Sequence, residues 1–373
     1  LREQDMVKNK ASEAERILSR AAAEPEKLDP SKALSSGSTL LNLALTGTTH
    51  GAFYAGKYYR YVGDSSSGKT MLTLTCFAES VRHPLFKGHR LIHDNSEDGS
   101  LMDMTQFFGR TCASKIEPPR GTRADPVFSH TVEELYYYLD DAFKAKVPFI
   151  YVKDSMDSLN TEDDEDKFQA RKKAHDTGKE TTGTFGMAKA KLNAGGLRTV
   201  FAKLRESESI VIFISHALAN VNPMTAKFFP KTDSGGKALK YYAHGETWTS
   251  LGGSIVSRVR GKDRKLGIRS RVRVQKNRQT GRDVEVEVPI LWSSGIDDVG
   301  ACVDFLVEEK HWQESKTLIH ADDFGVTLKR EELIQSIQDH DQEGRLRTLV
   351  GRVWRDLQRE MTPNRKARYA DDE

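Results

Sequence analysis

Between residues 31 and 300, short apolar runs alternate with stretches in which apolar residues recur at helical spacing. The clearest runs are Tyr58–Val62, Arg90–His93, Phe149–Val152 and Ile210–Ile214. Apolar runs separated by helices are typical of β-α-β units, in which a parallel sheet is covered by helices on both faces. The pattern therefore predicts an α/β fold around a central, mostly parallel twisted sheet.

Two later runs have a different pattern. Arg271–Gln275 and Val284–Leu291 alternate polar and apolar residues, and the turn-forming segment Asn277–Gly281 separates them. This arrangement predicts an antiparallel hairpin at one edge of the sheet.

The ends of the chain lie outside this core. Residues 1–30 predict a helix over Ala11–Ala23 and a linker, with too little apolar surface for a core of their own. That helix is either a fraying tail or an arm that supports oligomerisation. Residues 301–373 predict a small helical C-terminal region, so we divide the chain into 1–30, 31–300 and 301–373.

Two segments of the core, 160–186 and 217–236, predict mobile loops. Both directly follow the carboxyl end of a predicted central strand. Ligands of open α/β sheets bind at that end of the strands.

Composition excludes several classes of protein. The longest apolar run, Ile210–Ile214, is far too short to cross a bilayer, and no stretch near residue 1 resembles a signal peptide. Three widely spaced cysteines argue against a disulfide framework or a cysteine zinc site and favour a reducing compartment. We expect a cytoplasmic protein with no membrane partner.

The net charge of +3 hides strong local bias. Residues 258–282 contain eleven Lys or Arg and one Asp, a local charge of +10, whereas residues 162–166 are all acidic and carry −5. A local basic stripe favours a polyanionic partner, although a solvated hairpin is the alternative.

Residues 63–70 fit the pattern Gly-x-x-x-x-Gly-Lys-Ser/Thr, which is typical of loops that bind nucleotide phosphates. A predicted strand leads in and a predicted helix, Thr70–Ser80, leads out, so the helix N-terminus favours an anion there. Lys69 would reach the β- and γ-phosphates, and the Thr70 hydroxyl would bind Mg²⁺. The candidate nucleotide-binding residues are Gly63, Asp64, Ser65, Ser66, Ser67, Gly68, Lys69 and Thr70.

Hydrolysis requires two further carboxylates, one for Mg²⁺ and one for the attacking water. Asp154 ends the run that begins at Phe149, which suits a Mg²⁺ ligand, with a helix N-cap as the alternative. Glu97 follows another strand and is the candidate water-activating base, with Asp94 as a rival. Lys153 is an unexpected polar residue in its strand.

Further polar residues follow the predicted strands. His216 ends the run at Ile214 and could contact the γ-phosphate, although a structural histidine is the alternative. Lys276 and Arg278 lie two residues apart on a strand, so both point to one face.

The segment 217–236 contains Lys227, Phe228, Phe229 and Lys231. Basic residues attract nucleic-acid phosphates and aromatic residues stack on bases. A lid over another ligand is the alternative.

Taken together and in their order along the chain, these motifs resemble those of the RecA family of recombinases, including its phage branch. The similar segments, between about residues 30 and 312, are Leu34–Leu45, Gly63–Thr70, Asn95–Glu97, Lys153–Ser155, Phe213–His216, Gly235–Tyr241, Val272–Arg278 and Ile290–Ile296. The resemblance implies that Lys69 and Glu97 are catalytic, that His216 senses the γ-phosphate and that Lys276 and Arg278 reach the ATP of an adjacent subunit. It places Trp292 near the adenine.

The resemblance also implies a helical filament on single- and double-stranded DNA, with ATP and Mg²⁺ between subunits. The segments 160–186 and 217–236 would then be DNA-binding loops. Their candidate contact residues are Arg171, Lys172, Lys227, Phe228, Phe229, Lys231, Gly235 and Gly236.

Three hypotheses follow. The first is an ATP-dependent recombinase that coats single-stranded DNA and promotes homologous pairing and strand exchange in a bacterial cell, with a phage gene as one source. The second is a RecA-fold, DNA-dependent ATPase without strand exchange, such as a mediator, a helicase or a regulatory ring, because the acidic run 162–166 departs from the family. The third is a non-catalytic nucleotide-gated scaffold, in which Glu97 is not a base.

Overall fold

A computed structural model describes residues 29–97, 102–176, 187–220, 224, 227, 231–233 and 236–365. The expected N-terminal arm, residues 1–30, lies outside these ranges except for its last two residues. None of the described helices is long and apolar enough to cross a membrane.

The secondary structure follows the chain in alternation. The described helices are α1 Thr39–Thr46, α2 Lys69–Arg82, α3 Met104–Ala113, α4 Val132–Lys144, α5 Glu162–Asp176, α6 Met187–Ser207, α7 Lys237–Tyr242, α8 Asp298–Glu308, α9 Arg330–Asp339 and α10 Glu343–Glu360. The described strands are β1 Ala33–Leu34, β2 Phe53–Tyr54, β3 Lys57–Gly63, β4 Arg90–Asn95, β5 Ile116–Glu117, β6 Arg120–Gly121, β7 Pro126–Val127, β8 Phe149–Asp154, β9 Ile210–Ala219, β10 Lys231–Asp233, β11 Gly245–Val259, β12 Lys262–Asn277, β13 Val284–Leu291, β14 Gly295–Ile296, β15 Gln313–Ser315, β16 Leu318–Ala321 and β17 Val326–Lys329.

In the described part of the chain, the main sheet has the order β14-β13-β12-β11-β3-β9-β8-β4-β5, with β10 paired to the end of β9. The strands from β11 to β5 are parallel, whereas β12, β13 and β14 are antiparallel. The four predicted apolar runs form β3, β9, β8 and β4 at the centre. The predicted α/β fold with a mostly parallel central sheet is confirmed.

Helices cover both faces of this sheet because its central strands are apolar on both sides. Ile210, Ile212 and Ile214 belong to the apolar cluster that includes α1, α2 and α8 on one face, and Val211 and Phe213 belong to the cluster that includes α4 and α6 on the other. This two-sided burial explains why the runs are continuous rather than alternating.

The predicted edge hairpin is formed by β12 and β13, which pair from Gly267↔Leu291 to Val274↔Val284. The sequence analysis missed β11, whose glycines and serines hide its strand pattern. β11 continues past β3 beyond residue 249, and beyond residue 255 it pairs with a part of β12 that no longer pairs with β13. Residues 256–265 therefore extend from the sheet as a two-stranded ribbon. The first residues of the basic stripe 258–282 lie on this ribbon, and the rest follow β12 back into the sheet.

The structure describes part of each predicted loop. Residues 162–176 form α5, so the prediction of a mobile loop was wrong for this half of 160–186. The acidic run begins α5. Carboxylates in the first turn of a helix are stabilised by the positive end of the helix dipole. In the segment 217–236, β9 extends to Ala219, and β10 pairs antiparallel with this extension. The first residues of the segment and residues 231–233 therefore form a short two-stranded ribbon.

The C-terminal region was predicted to be helical, but only part of it is. It contains the three-stranded antiparallel sheet β15-β16-β17 between α8 and α9. Strands of three or four residues with mostly exposed side chains leave no apolar run for sequence analysis to detect. Leu306 of α8 and Trp354 of α10 join the same apolar cluster as α1, which ties this region to the core.

All three cysteines are buried and free. Burial raises the pKa of the Cys112 thiol to about 11 and raises the pKa of Cys76 and Cys302 well above the ordinary value. They pack as small apolar side chains.

A buried charge cluster ties the central strand to its neighbours. Arg60 of β3 is fully buried, forms an ion pair with Asp233 of β10 and lies 3.2 Å from Glu246 of β11. Its guanidinium also donates to Ser215 Oγ over 3.3 Å. Arg60 therefore holds the end of the 217–236 segment against the sheet.

We predict that Arg60→Met destabilises the chain by about 3–5 kcal/mol, because it leaves the carboxylate of Glu246 buried with less compensation. Urea unfolding measures this loss. Combining Arg60→Met with Glu246→Gln should recover part of it, and a single variant as stable as the wild type would contradict the assignment.

Candidate nucleotide-binding site

The loop of residues 63–70 joins β3 to α2, as predicted, and is called the phosphate loop below. A Cβ at Gly63 would lie 1.9 Å from Thr249 Oγ1. Gly68 has a φ of +90°, and a Cβ there would lie 2.4 Å from Ile290 Cδ1. Only glycine fits these two positions, which keeps the loop backbone open for a phosphate.

The serines of the phosphate loop have different environments. Ser67 is buried, and its Oγ donates to Asp64 O over 2.7 Å and lies 2.7 Å from Thr249 Oγ1. Ser65 and Ser66 are exposed. Ser67 therefore fixes the loop, and the other two are accessible to a ligand.

Lys69 lies inside the phosphate loop. Its Nζ donates to Gly63 O over 3.0 Å and to Asp64 O over 2.6 Å. Burial lowers the pKa of Lys69, and the negative charge of nearby Asp154 offsets part of this shift. A phosphate would supply the negative charge that this partly buried ammonium lacks.

The candidate metal ligands are in direct contact. Thr70 Oγ1 donates to Asp154 Oδ2 over 2.6 Å. Burial raises the pKa of Asp154, and the nearby Glu97 carboxylate raises it further. No described helix begins directly after Asp154, since α5 starts at Glu162, so the N-cap alternative is wrong.

This pair fits a magnesium ion. Mg²⁺ in phosphate-transfer sites is bound by one or two protein oxygens together with phosphate oxygens, rather than by a full protein cage. A hydroxyl beside a buried carboxylate provides such oxygens. Within the described ranges, no three His, Cys, Asp or Glu side chains form a separate metal cluster.

Glu97 lies at the same edge of the sheet. Ser155 Oγ donates to Glu97 Oε1, and His216 Nε2 lies 3.0 Å from the same oxygen. Partial burial alone would raise the pKa of Glu97, but these two hydrogen bonds and the charge of Lys69 lower it below its ordinary value. The carboxylate is therefore ionised near neutral pH, as a base must be.

Asp94, the rival candidate, is fully buried and has its own donors. Ser129 N, Ser129 Oγ and Tyr151 OH donate to it over 3.0, 2.5 and 2.7 Å. Lys153 Nζ lies 3.4 Å away. With this environment Asp94 cannot meet an attacking water, which favours Glu97.

The position of His216 follows from strand register. His216 pairs with Gly63 across β9 and β3, directly beside the phosphate loop. Its backbone N–H donates to Asp157 Oδ2 over 2.6 Å. No local signal in the sequence shows that Asp157 supports His216.

The segment 217–236 touches the phosphate loop through Lys231. Lys231 Nζ forms an ion pair with both oxygens of Asp64, at 2.7 and 2.6 Å. Lys227 is exposed, and Gly236 has a φ of +87° before α7. Phe228, Phe229 and Gly235 lie outside the described residues, so their DNA contacts stay predictions.

Lys276 and Arg278 point to one face, as predicted, and their recorded contacts there are with the end of α7. Lys276 Nζ donates to Lys240 O and Tyr241 O over 2.5 and 2.8 Å, and Arg278 donates to Tyr241 O over 2.6 Å. These carbonyls end α7, beside the amino end of β3, where His244 N donates to Tyr58 O. Burial is the main cause that lowers the pKa of Lys276 to about 8, and the nearby positive charge of Arg278 is the second.

Two further groups of candidates lie at the surface. Trp292 is 56% exposed and follows β13, whose Ile290 contacts the phosphate loop at Gly68. Arg171 and Lys172 lie on α5. Trp292 thus lies two residues beyond a side chain that lines the phosphate loop, and its role and that of the α5 residues stay predictions.

Comparisons with known proteins give two findings. Residues 173–297 match the family model of the RecA N-terminal domain. The crystal structure of the RadB recombinase aligns with 70% of this chain and 98% of its own, at 16% sequence identity and a TM-score of 0.44.

The family match covers about a third of the chain, from α5 to the end of β14. It includes His216, Lys276, Arg278 and Trp292, and it supports the predicted relationship to the RecA family. The phosphate loop, Glu97 and Asp154 lie outside it, so their assignment depends on their motif and geometry. The phage branch stays a prediction.

We predict that Glu97→Gln retains nucleotide binding and lowers the rate of hydrolysis by about 10²-fold or more, because the amide keeps the shape but cannot accept a proton. Nucleotide binding and single-turnover hydrolysis measure the two effects. Asp94→Asn is the control and should alter stability more than rate. The reverse pattern would identify Asp94 as the base.

Proposed function

We propose that the chain is an ATP-dependent recombinase of the RecA class that forms filaments on single-stranded DNA and promotes homologous pairing. One observation carries the proposal. A phosphate loop, a hydroxyl–carboxylate pair for Mg²⁺ and the Glu97–His216 contact meet at the carboxyl edge of a parallel sheet, and the 217–236 segment contacts the phosphate loop through Lys231.

The chemistry of the site follows from these residues. Bound ATP and Mg²⁺ would supply the phosphoryl group and neutralise its developing charge. The backbone N–H groups of the phosphate loop and Lys69 would bind the phosphates, and Thr70 and Asp154 would hold the ion. Glu97 orients a water molecule and accepts its proton, while Ser155 and His216 fix the carboxylate.

The position of Lys276 and Arg278 supports self-association. The strand register places Lys276 level with Arg60 of β3, three residues before Gly63. Arg278 directly follows β12, and both side chains donate to carbonyls of α7. A strand rises about 3.3 Å per residue, and β11 lies between β12 and β3, so these side chains are too short to reach their own phosphate loop. As cations that act on a nucleotide, they would serve a neighbouring subunit, in the manner of an arginine finger.

DNA would lie along the segments that follow β8 and β9. Lys227 is exposed in the second segment, and Lys172 is exposed on α5. Exposed cations bind DNA phosphates without regard to sequence. Since DNA and ATP meet in the cytoplasm, we place the protein there, in a bacterial cell or as a phage product.

A second candidate is a RecA-class, DNA-dependent ATPase without strand exchange. The acidic first turn of α5 favours it, because carboxylates at residues 162–166 repel DNA from part of the first segment. Screening reduces that repulsion beyond about 8 Å at physiological ionic strength.

We predict that the wild-type chain hydrolyses ATP faster with single-stranded DNA and that Lys69→Ala abolishes hydrolysis and nucleotide-dependent DNA binding. Steady-state ATPase assays and filter binding measure both. Electron microscopy with a non-hydrolysable ATP analogue then separates the candidates: helical filaments support the recombinase, and closed rings support the second candidate. Full hydrolysis by Lys69→Ala would disprove the site.

We predict that Lys276→Ala and Arg278→Ala bind nucleotide normally but lose DNA-stimulated hydrolysis. The loss for an arginine finger is about 10³–10⁵-fold. Mixing either variant with Lys69→Ala protein should restore part of the activity, because each supplies the surface that the other lacks. Failure of every mixing ratio would show that the two cations act within their own chain or only cap α7.

A further inference from the structure

A buried ion pair lies directly behind the candidate site without touching a nucleotide-binding residue. Lys153 of β8 and Asp94 of β4 are paired in register, and both side chains are fully inaccessible. Burying two charges costs free energy that their attraction often fails to recover, so such a pair is weak evidence for stability. Its presence requires another explanation.

The shortest contact of Lys153 is not with Asp94. Its Nζ donates to Ser96 Oγ over 2.6 Å and to Ser129 Oγ over 2.8 Å, whereas Asp94 Oδ1 lies 3.4 Å away. Ser96 immediately precedes Glu97. The ammonium therefore holds the residue next to the candidate base.

The hydrogen bonds continue from Ser96 to the Glu97 carboxylate. Ser96 Oγ contacts Ser158 Oγ, and Ser158 Oγ donates to Ser155 O over 2.8 Å. Ser155 Oγ in turn donates to Glu97 Oε1. Ser96 N also donates to Asp154 O over 3.0 Å. The segment that carries Glu97 is thus held both at its backbone and at its carboxylate.

We propose that Lys153 is a positioning residue, which fixes Glu97 through Ser96, and that Asp94 compensates its buried charge. This inference rests on the proposed ATPase function. A displacement of about 1 Å of a positioned group can cost about 10²-fold in rate. Lys153 would therefore affect the rate of hydrolysis rather than the affinity for nucleotide.

Ser96→Ala tests the link directly, because it removes the hydroxyl that accepts from Lys153 and leaves both charges in place. We expect kcat for DNA-stimulated ATP hydrolysis to fall about tenfold, with KM for ATP within about twofold of the wild type. Fluorescent-nucleotide titration should show unchanged binding.

The control is Ser209→Ala, at the end of β8 opposite Lys153. Ser209 directly precedes β9, is fully buried, and its Oγ accepts from Phe149 N at the start of β8 over 3.0 Å. This variant loses a hydroxyl that also bonds to β8 but lies at the edge away from Glu97, so its thermal midpoint should fall while kcat stays at the wild-type value.

The double variant Lys153→Met with Asp94→Asn separates positioning from stability. Without either charge, the buried region should regain a thermal midpoint close to that of the wild type, and kcat should stay low. A folded double variant with wild-type kcat, or Ser96→Ala with wild-type kcat, would overturn the inference while the proposed function stands. No hydrolysis by the wild-type chain would remove the proposed function and the inference together.

Discussion

The candidate site depends on the parallel register of four strands, β3, β9, β8 and β4. Gly63 pairs with His216, and Asp154 pairs with Asn95, two residues before Glu97. Each group belongs to, or directly follows, a different strand, so no short stretch of sequence could bring them together. A slip of one residue in β8 would turn Asp154 to the opposite face and bring Lys153 to the nucleotide side.

Sequence analysis predicted the features that depend on local pattern. The continuous apolar runs indicated the central strands because residues buried on both faces must be apolar. The phosphate loop was recognisable because its two glycines meet steric limits that no other residue satisfies, at Gly63 and Gly68. Glu97 and Asp154 were proposed because carboxylates at the ends of parallel strands converge on one edge.

The remaining features depend on contacts between distant parts of the chain. The choice between Glu97 and Asp94 needed the burial and the donors of Asp94, which spacing does not encode. The helix over residues 162–176 was missed because its charges suggested a loop, although its acidic first turn favours a helix. Buried Arg60 and Lys153 interrupt apolar strands, and only their partners on other strands explain why the fold accepts them.

The three native cysteines can be used as probes of local unfolding. The side chains of Cys76 on α2, Cys112 on α3 and Cys302 on α8 are buried with raised pKa values, and an alkylating reagent requires an accessible thiolate. Each cysteine can be modified only when its own helix detaches from the core. Rates of alkylation followed residue by residue by mass spectrometry would rank the opening free energies of three regions, without an introduced label.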